Sequence, residues 1–165
     1  MINILNDLAR LSKLNFRHNS LFFRKLKKKP PKKLDHLMTQ LHDEEFSKIN
    51  CLDCANCCKT TSPIFTNRDI SRISKYLKMK QSKFVSKYLH LDSDNDFVLN
   101  SSPCIFLAND NICNIYDVRP KACSEYPHTN RKDFHKIANL TMKNIEICPA
   151  AYKIVEKLKT RLNKN

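Results

Sequence analysis

Apolar residues recur every three or four positions in four stretches of the chain, a pattern typical of amphipathic helices. The second and third stretches follow one another closely and predict a helical hairpin, and Thr66 with Asp69 resembles a capping box at its start. The fourth stretch begins at Pro149, because proline is favoured at the first position of a helix. The predicted inward-facing residues are Leu34, Leu37, Met38 and Leu41; Ile70, Ile73 and Leu77; Phe84, Val85, Tyr88 and Leu89; and Ala151, Ile154, Val155 and Leu158.

Three short apolar runs separated by turn-forming residues predict strands. They cover residues 97–99, 104–107 and 112–116, and the turn between the last two is Asn109-Asp110-Asn111. Residues 118–126 predict an irregular or briefly helical stretch. The expected fold class is therefore α+β and mainly helical: a small cysteine-rich, metal-stapled domain with a short β meander.

Glycine is absent from all 165 residues. This excludes glycine-rich phosphate loops, dinucleotide fingerprints and the nucleophile elbow of many hydrolases. Tight turns must then use Asn, Asp and Pro, since Asn and Asp tolerate the left-handed conformation best after glycine.

The basic charge is concentrated at the start of the chain. The net charge is +14, and residues 1–33 hold ten Lys and Arg against one acidic residue, Asp7. The run from Lys27 to Lys33 contains two prolines among like charges, which opposes a helix. We predict that residues 1–33 form a flexible basic extension, with contact to nucleic acid as the alternative to a solvated tail, and that residues 34–165 form the cysteine-cluster domain.

No apolar run approaches the roughly 20 residues of a membrane helix, and the N-terminus lacks the pattern of a signal peptide. We therefore predict a cytoplasmic protein without a membrane partner. Because the cytosol keeps thiols reduced, its cysteines are expected to serve metal binding or redox chemistry rather than disulfides.

Cysteine is the residue that carries the candidate chemistry. Four of the eight cysteines lie within eight residues, and thiols separated by two residues converge readily on one metal. Eight thiols suffice for two four-thiolate sites. The predicted metal ligands are Cys51, Cys54, Cys57, Cys58, Cys104, Cys113, Cys123 and Cys148.

The spacing also indicates how the thiols divide between two sites. Three cysteines at two-residue spacing and a remote Cys-Pro are similar to the bacterial ferredoxin arrangement, which predicts a 4Fe-4S site at Cys51, Cys54, Cys57 and Cys148. Cys58 is expected to point away from Cys57 and to join Cys104, Cys113 and Cys123. Other divisions stay open, and zinc stays open beside iron–sulfur, because both suit thiolate ligands.

In order along the chain, these motifs resemble the CxxCxxCC, or YkgJ-type, cysteine-cluster family, described as zinc- or iron-chelating. The resemblance covers residues of about 40 to 160. Many members carry glycine where Ala55 stands and a basic residue where Ser124 stands. The matching motifs are Cys51-x-x-Cys54-x-x-Cys57-Cys58, Pro103-Cys104-Ile105-Phe106-Leu107, Cys113-Asn114-Ile115-Tyr116, Arg119-Pro120, Cys123, Tyr126-Pro127 and Cys148-Pro149.

The resemblance implies metal binding but no particular reaction, so whether the chain is an enzyme is left open. The leading hypothesis is a cytoplasmic metal-binding or redox protein. A second is an iron–sulfur-dependent protein-modifying enzyme, since a flagellin lysine methylase is a longer, distant relative of such cluster proteins. A third is a zinc-stabilised nucleic-acid-binding protein. Arg119 is the one non-cysteine candidate, as a contact to an anion or a carboxylate, and a structural salt bridge beside the metal is the favoured interpretation.

Overall fold

The computed structural model describes residues 2–163, with the side chains of residues 4–163. The protein is mainly helical, with one small antiparallel sheet, as the sequence predicts. None of the helices in the described part is long and apolar enough to cross a membrane. The helices are α1 (Ile2–Leu14), α2 (Phe16–Lys28), α3 (Leu34–Phe46), α4 (Asn56–Thr60), α5 (Asn67–Tyr76), α6 (Gln81–Tyr88), α7 (Lys121–Ser124), α8 (Ala138–Asn144) and α9 (Pro149–Asn163).

The chain forms two compact units. The first, which we call the helical unit, combines residues 1–51 with residues 127–165, and the second, the cysteine unit, is the continuous segment 52–126. The helical unit contains α1–α3, α8 and α9 with a 3-10 helix at Phe134–Ile137. The cysteine unit contains α4–α7, a 3-10 helix at Tyr116–Val118, and strands β1 (Leu89–Leu91) and β2 (Phe97–Leu99).

In the helical unit, the predicted helix at Leu34 and the predicted helix at Pro149 are both present, and they pack against one another as α3 and α9. At the edge of this packing, the carboxylate of the nearly buried Glu45 forms ion pairs with Lys157 Nζ at 2.7 Å and with Lys153 Nζ at 3.3 Å. The buried core shared by these helices includes Leu34, Met38, Leu41, Ile154, Val155 and Leu158.

The start of the chain differs from the flexible extension that the sequence predicted. Residues 2–28 form α1 and α2, and Phe23 and Leu26 of α2 are buried in the core of the helical unit. The rings of Phe23 and Phe134 lie 6.4 Å apart. The reason is that apolar residues placed among the lysines line a single helix face, which the core of the same unit covers. The helix ends at Lys28, just before the two prolines.

In the cysteine unit, the predicted helical hairpin is α5 followed by α6, and the capping box is present. Thr66 Oγ1 accepts from the Asp69 N–H at 3.2 Å, while the Asp69 carboxylate accepts from the Thr66 N–H at 3.0 Å. The core beneath the hairpin is aromatic and aliphatic, and it consists of Phe65, Ile70, Ile73, Phe84, Leu89, Leu99, Phe106 and Ile115.

The predicted three-stranded meander is smaller than expected. Phe97–Leu99 is a strand, as predicted, but its partner is Leu89–Leu91, which begins at a residue expected to end a helix. Residues 104–107 and 112–116 meet only through a single bridge between Leu107 and Cys113. The backbone turns after Cys104 and again after Cys113, and these turns leave no room for longer pairing.

Without glycine, other residues take the left-handed backbone conformation. Lys78 (φ 53°) is the clearest case, because it ends α5 in a Schellman motif: its N–H donates to Lys75 O at 3.1 Å and the Met79 N–H donates to Ser74 O at 3.0 Å. Asn111 in the predicted Asn-Asp-Asn turn is left-handed as expected. The others are Ala55, Asn95, His128 and Asp133.

Candidate metal centre

Six of the eight cysteines lie in the cysteine unit, and backbone contacts tie three of them together. The Cys104 N–H donates to Cys58 O at 2.9 Å, and Cys113 forms the bridge with Leu107. The Asn111 side chain donates to Leu52 O at 2.9 Å, which holds the turn before Cys113 against the start of the cysteine run. Residues far apart in sequence thus carry their thiols to one region of this unit.

The thiols of Cys58, Cys104, Cys113 and Cys123 lie close enough to interact through their charges. Burial, together with negative charge on the other three thiols, raises the pKa of Cys123 to about 12, while Arg119 opposes the rise. Burial also raises the pKa of Cys104 and of Cys113, and charge on Cys58 adds to both shifts. If all four sulfurs were ionised they would repel one another, and a cation bound among them would offset that repulsion.

Backbone N–H groups point at two of these sulfurs. Hydrogen bonds from the Phe106 and Leu107 N–H groups reduce the rise in the pKa of Cys104 that burial causes. A hydrogen bond from the Ile115 N–H does the same for Cys113, and both pKa values remain raised. These donors come from the turns that directly follow each cysteine. Hydrogen bonds to sulfur of this kind stabilise negative charge and tune thiolate-bound metals.

Cys57 and Cys58 do not point apart as expected. Their sulfur atoms lie 4.0 Å apart, because both residues belong to the short helix α4 rather than to extended backbone. The hydrogen bond from Cys57 lowers the pKa of Cys58 to about 7, against the effect of burial and with help from the Lys59 ammonium. A large fraction of Cys58 is therefore ionised near neutral pH.

Two side chains of α5 hold the segment that carries Cys123. Asp69, which is 1% exposed, accepts from the Lys121 N–H at 3.1 Å and from Arg72 Nη2 at 2.6 Å. Arg72 in turn donates to Val118 O at 3.4 Å and to Arg119 O at 2.8 Å. We call this set of contacts the α5 clamp. It binds donor and acceptor groups of the backbone just before Cys123, so that cysteine is positioned by the fold.

Arg119 extends from the clamped segment. Its guanidinium donates to Tyr116 O at 2.6 Å and its central carbon lies 3.9 Å from the centre of the Tyr116 ring. From there its charge lowers the pKa of both Cys113 and Cys123. The sequence singled out Arg119, but it did not indicate that Asp69 and Arg72 would form a clamp. Asp69 was expected only to cap its own helix, and nothing in the sequence signals its contact with a residue 52 positions away.

The other predicted ligands are placed as follows. Cys54 is half-buried in the cysteine unit, where its carbonyl accepts from Lys59 Nζ at 3.3 Å. Cys51 is exposed and Cys148 is half-buried against the core of the helical unit, with its sulfur 3.5 Å from the Ala151 N. None of the eight cysteines, all of which lie within the described residues, forms a disulfide.

The donor set fits a thiophilic ion, since it consists of thiols with N–H donors and one nearby cation. Within residues 4–163, the structure does not gather three Cys, His, Asp or Glu side chains closely enough to hold one ion. The thiols of Cys58, Cys104, Cys113 and Cys123 interact through their charges, but their sulfur atoms are not arranged to coordinate one ion.

Comparison with known proteins identifies the family. Residues 50–144 match the model of the CxxCxxCC family, described as a "Putative zinc- or iron-chelating domain". This match covers more than half of the chain, and the protein belongs to that family.

A curated relative is an uncharacterized protein of Methanocaldococcus jannaschii, 30% identical over 83 residues, which are 48% of this chain and 44% of the relative. The chain thus spans less than half the length of that relative. No solved structure matches the chain.

Proposed function

We propose that this protein binds zinc or an iron–sulfur cluster through its cysteine thiolates and acts as a cytoplasmic metal-binding or redox protein. The observation that carries the proposal is that backbone contacts bring Cys58, Cys104 and Cys113 to one region of the cysteine unit, in which the α5 clamp also positions Cys123. These four would form one centre. The zinc- or iron-chelating description of the family supports the same chemistry.

The assignment of the remaining four cysteines rests on sequence spacing alone. Cys51, Cys54 and Cys57 at two-residue intervals, with the remote Cys148-Pro149, would form the second centre, for which 4Fe-4S is the first candidate. An iron–sulfur cluster would supply one-electron chemistry, and zinc would supply structural cross-linking.

The protein's own groups would stabilise the charge of the first centre. Four thiolates around a divalent ion leave two negative charges, which the N–H donors at Cys104 and Cys113 and the Arg119 guanidinium partly offset. The α5 clamp would hold Cys123 at its position before metal arrives.

The test is metal analysis of anaerobically purified protein, with visible absorption to separate iron–sulfur from zinc. Cys113→Ser is expected to remove about half of the metal, and Cys54→Ser the other half. Ile112→Ser is the matched control, because this exposed neighbour of Cys113 is not a proposed ligand. A folded Cys113→Ser variant that keeps all of its metal would exclude the first centre.

A further inference from the structure

The outward face of α2 is a row of cations on a folded helix. Asn19, Phe23 and Leu26 point into the core of the helical unit. On the opposite side, Arg17, Arg24 and Lys28 are exposed. Residues seven and eleven positions apart share one face of a helix, so the three charges lie in line over about 16 Å at 1.5 Å per residue.

Within the described part of the chain, no Asp or Glu side chain forms an ion pair with the cations of this row. Between Asp7 and Asp35 the sequence contains no Asp or Glu. Within residues 4–163, the eight basic residues from position 17 to position 33 form no ion pair with a carboxylate. Their charge is therefore available to an external anion.

The charge is also unevenly divided between the two units. The helical unit has 20 Lys and Arg against 8 Asp and Glu, a net +12, whereas the cysteine unit has 10 against 8, a net +2. A general enrichment of lysine would be expected to charge both units. The positive potential belongs instead to the unit that carries α2.

The chemistry of the face selects among anionic partners. A helix that lies on a membrane inserts its apolar face, but that face of α2 is already used by the protein core. The outward side carries one exposed apolar residue, Leu21, among a linear array of Arg and Lys. The array complements the regularly spaced phosphates of a nucleic-acid backbone.

We propose that the outward face of α2, defined by Arg17, Arg24 and Lys28, binds the phosphodiester backbone of nucleic acid. The contacts are to phosphate oxygens, so binding is independent of base sequence and weakens steeply with salt. None of these three residues is a proposed metal ligand, and the proposal stands whether or not the cysteines hold metal.

The experiment measures binding of the full chain, as purified with any metal it holds, to a short DNA duplex and to an RNA duplex of the same sequence. The test variant is Arg17→Gln, Arg24→Gln and Lys28→Gln combined. The control is Lys75→Gln, Lys80→Gln and Lys83→Gln combined, which removes the same charge from exposed positions of the cysteine unit. Circular dichroism confirms that both variants are folded.

The test variant is expected to lower the slope of log affinity against log salt by about 3 and to weaken binding at low salt, while the control leaves the slope unchanged. The two duplexes distinguish DNA from RNA as the source of the phosphates. Equal losses in the two variants would overturn the proposal, since net charge alone would then account for binding. Absence of binding to both duplexes at low salt, or tighter binding to anionic lipid vesicles than to either duplex, would overturn it as well.

Discussion

The carboxylate of Asp69 accepts a hydrogen bond from the backbone N–H of Lys121 at 3.1 Å, and so helix α5 caps the start of α7 from outside. A helix of four residues cannot satisfy its own first N–H groups, and here Asp69 of α5 supplies an acceptor for one of them. Because α7 carries Cys123, the position of a proposed metal ligand depends on a residue that does not contact metal.

Arg72→Met is therefore expected to weaken metal binding by about 10-fold, because it frees the carbonyls of Val118 and Arg119 and loosens the segment before Cys123. The measurement is competition of the full chain with a chelator, using Co²⁺ as a spectroscopic probe of thiolate coordination. Arg68→Met, an exposed change on the same helix, is the control. Unchanged affinity in a less stable Arg72→Met protein would show that the clamp supports only the fold.

Replacement of Lys78 by glycine is expected to stabilise the protein by about 1 kcal/mol, since glycine removes the cost of a side chain at φ 53°. Lys75→Gly, three residues earlier inside α5, is expected to destabilise it by about 1 kcal/mol. Urea unfolding monitored by circular dichroism measures both. The same sign for the two changes would contradict the left-handed cap.

The buried ion pair of Glu45 predicts a dependence of stability on pH. Burial raises the pKa of Glu45, but hydrogen bonds from Lys157 and Lys153 outweigh it and leave the pKa below its usual value. Its stabilisation is thus present above the unfolded pKa of about 4.3 and is lost as the pH falls through the folded pKa.

Glu45→Gln is expected to lower the free energy of unfolding by about 1.5–3 kcal/mol at neutral pH, and the difference from wild type should shrink below about pH 4. Glu44→Gln, whose side chain is 49% exposed and 4.0 Å from Lys157, is the control and should cost less than about 1 kcal/mol. Thermal unfolding of both variants across pH measures the difference. A constant difference down to pH values of about 3 would argue against the pair.

Removal of metal is expected to lower the thermal midpoint, because an ion held only by the folded state stabilises that state. At a free metal concentration about 100 times the dissociation constant, the loss is about 2.7 kcal/mol, or roughly 5–10 °C. Calorimetry before and after chelation, followed by restoration of the metal, is the measurement. An identical midpoint in the two states would exclude a role of metal in stability.

The sequence predicts α3, α5, α6 and α9 because their signals are local. The capping box at Thr66 and the proline that begins α9 both appear where expected. The N-terminal residues were misjudged because a run of lysines dominated the pattern, although Phe23 and Leu26 mark a buried face. Burial of that face depends on α8 and α9, which lie more than a hundred residues later in the sequence and are invisible to a local window.

The cysteine region was predictable in its composition but not in its geometry. Spacing indicated the candidate ligands, yet the closeness of Cys57 and Cys58 follows from a helix of five residues that begins after the left-handed Ala55. Such a short helix has no periodic signal. The α5 clamp was equally hidden, since the three groups that it binds outside α5 belong to the backbone.

The discontinuous course of the helical unit bears on how the protein is made. Helix α3 buries its apolar face against α9, and the ribosome synthesises the whole of the cysteine unit between them. At translation rates of about 5–20 residues per second, the interval is on the order of ten seconds. The cysteine unit is therefore synthesised in full, and could bind metal, before α9 is available. Until then the first three helices lack the segment that completes their hydrophobic core.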